Sequence, residues 1–232
     1  MINKNDILEL LIFTQSKDNF ENINDVRSIT INALFKQIEN LNIAVILSDK
    51  LSNLEFLKSE ISQSIENNDI KNIIYNYEGF IKDAFFIKSF ILIENHINQI
   101  AEFYEQTNNK IKTDSIVITF KNLINPNKCN LFTNLTENEI ELFKFYCYLR
   151  NTIHKMGYQT KENKSIRIKD NSSMINKNEV TFELKENVGN DLNTNSLLLL
   201  HEQVIKLMLK INELIPKEDF IEHILVKDGY NG

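Results

Sequence analysis

Thr136-Glu137-Asn138-Glu139 opens, and Arg150-Asn151-Thr152-Ile153-His154-Lys155-Met156-Gly157 closes, a segment that reads as one long amphipathic helix. A Thr followed three residues later by Glu has the form of a capping box, in which hydroxyl and carboxylate satisfy the orphan amides of a helix start. Gly157 tolerates the left-handed conformation of a helix end. The spacing predicts a helix over about 137–156, with Ile140, Phe143, Cys147, Arg150 and His154 on one face. Arg150 and His154 thus extend an apolar stripe at its exposed end. A guanidinium there can hold a phosphate by paired hydrogen bonds, and an imidazole one turn on can move protons near neutral pH.

Helical periodicity continues on both sides of this segment. Upstream, Phe86, Phe90, Glu94, Ile97, Ala101 and Tyr104 line one face of a long helix that opens near Asp69 and runs through Tyr104. Glu94 is the lone carboxylate on that stripe and calls for a cationic partner. A short apolar segment, Ile116 to Ile124, and an Asn125-Pro126-Asn127 turn join the two helices. Downstream the period changes to two: Ile166 and Ile168, then Val180, Phe182 and Leu184, alternate with polar residues as two half-exposed strands. They predict a hairpin over 165–185 with a loose polar connection at 170–177. Leu197, Leu200, Val204, Leu207 and Ile211 mark a closing helix from Thr194 to Leu214, stopped by Pro216.

Residues 1–68 read as an accessory helical region, with apolar positions Ile7, Leu8, Leu11 and Ile12, then Val26, Ile29, Leu34, Ile38 and Leu41. Ile43 to Leu47 continues a helix, since no turn signal brackets it as a strand. Residues 69–215 form the main helical domain, and 216–232 a short helix over 217–226 followed by a frayed tail. The fold class is mainly α with one small β-hairpin between the last two long helices. Five glycines and two prolines among 232 residues agree with long helices.

A net charge of −6 argues against a broad nonspecific nucleic-acid surface, so any RNA contact is local. Cys129 and Cys147 lack the paired spacing of a disulfide framework or zinc site, and His96 lies two residues from Glu94, on a different helix face. No metal or cofactor is expected. The N-terminal segment lacks the pattern of a signal peptide and no stretch is apolar enough to span a membrane, which predicts a cytoplasmic protein without membrane contact. His201 and His223 read as surface or packing residues.

The order of long helix with Ile91-Leu92-Ile93-Glu94-Asn95-His96, capped helix ending Leu149-Arg150-Asn151-Thr152-Ile153-His154-Lys155-Met156-Gly157-Tyr158, hairpin and closing helix resembles the HEPN superfamily over roughly 69–215. That resemblance implies an up-and-down helical bundle, a homodimer, and metal-independent endoribonuclease activity of a toxin or antiphage defence type. It assigns Arg150 to phosphate binding and His154 to general acid–base catalysis, with Asn151 as the polar motif residue and Glu94 as a facing acid that pairs with Arg150. Lys155 would supplement phosphate binding. Tyr158 corresponds to a tyrosine that is modified in family toxins paired with a nucleotidyltransferase antitoxin, and an antitoxin or other defence-system partner is implied with it. Three residues separate Arg150 from His154, where the common signature has four to six; three still places both on one face.

Plainer roles stay open beside these. A Glu94–Arg150 ion pair can simply tie two helices together, His154 can serve the negative end of a helix dipole, Lys155 can be solvated, and Tyr158 can cover the helix end. Two functions therefore stand: a ribonuclease, and a noncatalytic helical module that binds a protein or nucleotide partner. The RNA, its activator, and the roles of the N-terminal helices and hairpin are not legible in the sequence.

Overall fold

The computed structural model describes residues 3–16, 22–105, 110–153, 159, 162–189 and 192–227. The chain is mainly helical, with eight helices among these residues and one two-stranded antiparallel sheet. In order come α1 (Lys4–Gln15), α2 (Val26–Ser48), a 3₁₀ turn (Asp49–Ser52), α3 (Leu54–Glu60), α4 (Ile70–Tyr104), α5 (Ile116–Ile124), α6 (Glu137–Ile153), β1 (Lys164–Ile168), β2 (Val180–Leu184), α7 (Thr194–Leu214) and α8 (Ile224–Lys227). Among the described residues no helix is long and apolar enough to cross a membrane.

Local chemistry sets most of these boundaries. Asn3, Asp25, Asn53 and Asn193 each precede a helix and accept a hydrogen bond from an amide of its first turn. The capping box of α6 forms as the sequence predicts: the Thr136 amide donates to Glu139 Oε2 at 2.7 Å, and the Glu139 amide donates to Thr136 Oγ1 at 3.3 Å. The apolar run at 43–47 continues α2, which ends at Ser48.

α4 is the central element. Its 35 residues span about 50 Å at the ~1.5 Å rise per residue of an α-helix, and it packs against α2, α5, α6 and α7. Aromatic side chains weld the middle of the bundle. Tyr146 of α6 lies edge-on to Phe86 at 4.9 Å and stacks with Phe90 at 5.8 Å, while Phe120 of α5 stacks on Phe143 of α6 at 4.0 Å. Ile7, Leu10, Leu34 and Ile38 from α1 and α2 join the same continuous buried cluster as Phe86, Ile93, Leu200 and Val204. The segment expected as an accessory region therefore buries its apolar faces in the core that α4 and α7 share.

The expected hairpin forms, with Ile166 opposite Phe182 and Ile168 opposite Val180, and turns Ile166, Ile168, Phe182 and Leu184 inward. Phe182 meets Phe145 of α6 at 6.3 Å. The connection between the strands is not loose. Glu202 of α7, fully buried, accepts hydrogen bonds from Ser173 Oγ at 2.6 Å and the Met174 amide at 2.9 Å, and pairs with Lys206 at 3.0 Å.

The apolar segment 116–124, to which the sequence assigned no element, is a helix, α5, whose Phe120 and Leu123 are fully buried. One further expectation needs revision. The short helix expected over 217–226 is confined to Ile224–Lys227. Tertiary bonds claim the preceding backbone: Val26 N–H donates to the Ile221 carbonyl at 2.8 Å, and His223 N–H to the Asn24 carbonyl at 3.1 Å. Arg27, clasped to buried Asp25 at 2.8 Å, also donates to the Asp219 carbonyl at 2.7 Å. The tail expected to fray, 228–232, lies outside the described residues.

Candidate functional site

Burial along α6 explains where Arg150 stands. Phe143 and Cys147, two turns and one turn earlier on its face, are closed off in the core, whereas Arg150 is half-buried and Asn151 exposed at the helix end. The guanidinium lies over the Phe90 ring of α4, 5.5 Å from its centre, and donates a hydrogen bond to Asn151 Oδ1 at 3.3 Å. Stacking on an aromatic face suits the planar, weakly hydrated guanidinium.

The expected ion pair with Glu94 is not formed. Glu94 sits on α4 one turn beyond Phe90 and is half-buried, but among the described residues no carboxylate comes within ion-pair distance of Arg150. The ring of Phe90 occupies the face of α4 that the guanidinium covers, so contact is made with the ring. Both charges act at longer range on Cys147: burial is the main reason its thiol is pushed far above the ordinary range, Glu94 adds to the rise, and Arg150 opposes it. Cys147 is thus a neutral packing thiol. Thr152 turns inward and donates to the Leu149 carbonyl at 2.7 Å.

His154, Lys155 and Tyr158 lie outside the described residues, as does Gly157. Arg150, Asn151 and Glu94 are therefore the part of the sequence-predicted constellation with known positions; they gather at one end of the α4–α6 contact.

The other histidines have roles that periodicity alone did not reveal. His96 and His201 are both fully buried. His96 Nδ1 lies 3.1 Å from Thr30 Oγ1, and burial pushes its imidazole down to about 4, partly offset by the Asn212 side chain. His201 meets Phe85 edge-on at 4.8 Å, lies 3.2 Å from the Tyr146 hydroxyl, and is pushed down to about 3 by burial alone. Both are neutral interior groups. Among the described residues, no three His, Cys, Asp or Glu side chains converge to hold a metal ion.

A large cleft lies elsewhere. A cavity of about 900 Å³ opens between the first turns of α4 and α7, the start of α1 and the hairpin, and no residue of α6 lines it. Sequence reading passed it over because its residues come from four elements. The available signal was that Phe80 falls off the apolar stripe of α4. Comparisons with protein-family models, curated proteins and solved structures return no match.

Proposed function

We propose that the chain is a metal-independent endoribonuclease of HEPN type, serving as a toxin or in antiphage defence. The observation that carries this reading is the half-exposed Arg150 guanidinium, held over Phe90 at the end of α6 with no carboxylate in ion-pair distance among the described residues. A cation left unneutralised beside an apolar core is an anion-binding group in waiting. The helical bundle, with a long α4 facing a capped α6, supports the same reading.

In the reaction this implies, His154 accepts the proton of a ribose 2′-OH while the 2′ oxygen attacks the adjacent phosphorus. The P–O5′ bond breaks and the leaving oxygen takes a proton, giving a 2′,3′-cyclic phosphate and a 5′-OH. Arg150 would hold the phosphoryl oxygens as charge builds on them. Asn151 steadies the guanidinium by its hydrogen bond. Glu94 would contribute at longer range. In a homodimer, two copies of the α6 end would concentrate positive potential in a cleft of an otherwise acidic molecule. Lys155 would add to it, and Tyr158 would be the residue open to an antitoxin.

The test is incubation of single-stranded and structured RNAs with the full chain in excess EDTA, with end-group analysis of any fragments. The expected result is 2′,3′-cyclic phosphate ends that vanish in His154→Ala and a rate about 10²–10³ lower in Arg150→Ala, the usual range for removing one charge-stabilising donor. Cleavage that persists in the Arg150→Ala, His154→Ala double variant overturns the proposal.

A second reading, a noncatalytic module that binds a partner, is favoured by one observation: the 900 Å³ cleft is built without any part of α6. Metal-independent turnover that depends on His154 would count against it.

A further inference from the structure

The cleft at the start of α4 has features that α6 chemistry does not use. The first three turns of α4 are only partly covered: its fully buried residues begin at Ile81, and before it Tyr77 packs against the core. There Tyr75 is 78% and Phe80 70% exposed, and among the described residues neither ring contacts another aromatic. Large aromatics left this open on a helix are costly to keep in water and characteristic of contact surfaces.

The charges around the rings are mostly negative. Among the described residues, Asp6, Glu78 and Asp83 line the cavity, against one cation, Lys82, which donates to the Leu192 carbonyl at 3.4 Å. Glu78 and Asp83 make no ion pair among the described residues. Partial burial raises Asp6 above the usual carboxylate range, although Asn3 donates to it at 2.8 Å, so a cation arriving here would relieve a dehydrated acid.

The cleft also has a direction. A second cavity of about 370 Å³ adjoins the first through Leu192, Asn193 and Ser196, and is lined by the consecutive residues Thr181, Phe182 and Glu183 of β2. Consecutive residues of a strand turn their side chains to opposite faces, so a cavity that meets all three runs along the strand edge. β2 pairs with β1 on one side, and among the described residues no strand pairs with its other side. An open edge beside an elongated cleft is the geometry of strand addition.

We propose that this cleft docks an extended, lysine- or arginine-bearing segment of a partner protein, which adds as a strand along β2 and brings its cations to Tyr75, Phe80, Glu78 and Asp83. The backbone edge supplies binding without regard to sequence, and the rings and carboxylates select positive charge through cation–π and ionic contact. A compact small cation would leave the β2 half of the cleft unused. The site stands apart from Arg150, so its success or failure is independent of RNA cleavage.

The experiment uses the full chain and a fluorescently labelled ten-residue peptide alternating lysine with valine, read by anisotropy, beside an aspartate–valine peptide of equal length. Saturable binding of the lysine peptide is expected, falling at least tenfold in Glu78→Lys, Asp83→Lys and at least fivefold in Tyr75→Ala, Phe80→Ala. A lysine peptide N-methylated at every second amide should lose binding. These side chains are exposed or half-exposed, so unchanged thermal melting should accompany each variant. Absence of binding, equal binding of the acidic peptide, or undiminished binding to the charge-reversed variant overturns the proposal; retained binding of the methylated peptide overturns strand addition. Self-association that Glu78→Lys, Asp83→Lys abolishes would assign the cleft to a second copy and overturn the partner reading.

Discussion

His96 and His201 show how far a residue's role can depart from its place in a helical wheel. Each lies in a helix whose partners close over it from other elements, and no local pattern in the sequence reports that closure. Arg150 was legible for the opposite reason: the cap at Thr136 and the stripe through Cys147 place it at a helix end from local information alone. What it touches was not legible, since Phe90 and Glu94 are one turn apart on α4 and only packing decides between them. The buried imidazoles have a pH consequence. In the folded chain they stay neutral down to about 4 and about 3, whereas an unfolded chain carries ordinary imidazoles near 6.5. Between 6.5 and 4 the unfolded state therefore binds more protons, so the fold is most favoured above 6.5 and loses stability as pH falls. The loss should be about 1.4 kcal/mol per pH unit for each histidine that stays neutral. Urea midpoints at pH 7.5, 6.0 and 5.0 check this, and His201→Phe should make the slope shallower. A midpoint that does not move would show that both imidazoles can charge inside the fold.

At the scale of elements, α4 and α7 begin and end almost where capping and stop signals put them. Those signals are local chemistry, and so are legible. The helix at 116–124 was missed because nine apolar-rich residues do not fill enough turns to show a period. The hairpin connection was misjudged because its anchor lies on another element. α7 reads as a helix with one apolar stripe, yet Glu202 off that stripe is sealed beneath the loop it holds. A buried carboxylate with three donors should be sensitive to neutralisation. Glu202→Gln keeps the shape but gives up the charge-assisted bonds to Ser173 and Lys206, and should cost about 2–3 kcal/mol. Amide hydrogen exchange at 173–176 should rise with it. Unchanged protection there would mean that the loop is held by its own Asx-type turns and owes little to Glu202.

For the molecule as a whole, α4 begins at Ile70, close to the division expected at about residue 68, and the core runs across that point. α2 covers an apolar face of α4, and α1 packs on α2 and α7. Leu34→Ala should cost about 2–5 kcal/mol and lower one cooperative transition, with near-UV and far-UV signals moving together. A chain beginning at residue 69 should fail to give a monomeric, cooperatively melting protein. If that shortened chain folded and melted sharply, α1 and α2 would be an appendage after all.

The grip of Arg27 on the Asp219 carbonyl joins residues 192 positions apart. Synthesis runs from one end to the other, so α2 leaves the ribosome long before the backbone that satisfies its first residues has been made. At roughly 5–20 residues per second that interval is on the order of 10–40 s. Through the first part of it the apolar faces of α1 and α2 can find only each other, until α4 and then α7, on which they pack, are made. The nascent chain is thus exposed to wrong partners over that interval, and closure of this part of the fold waits until Asp219 has emerged.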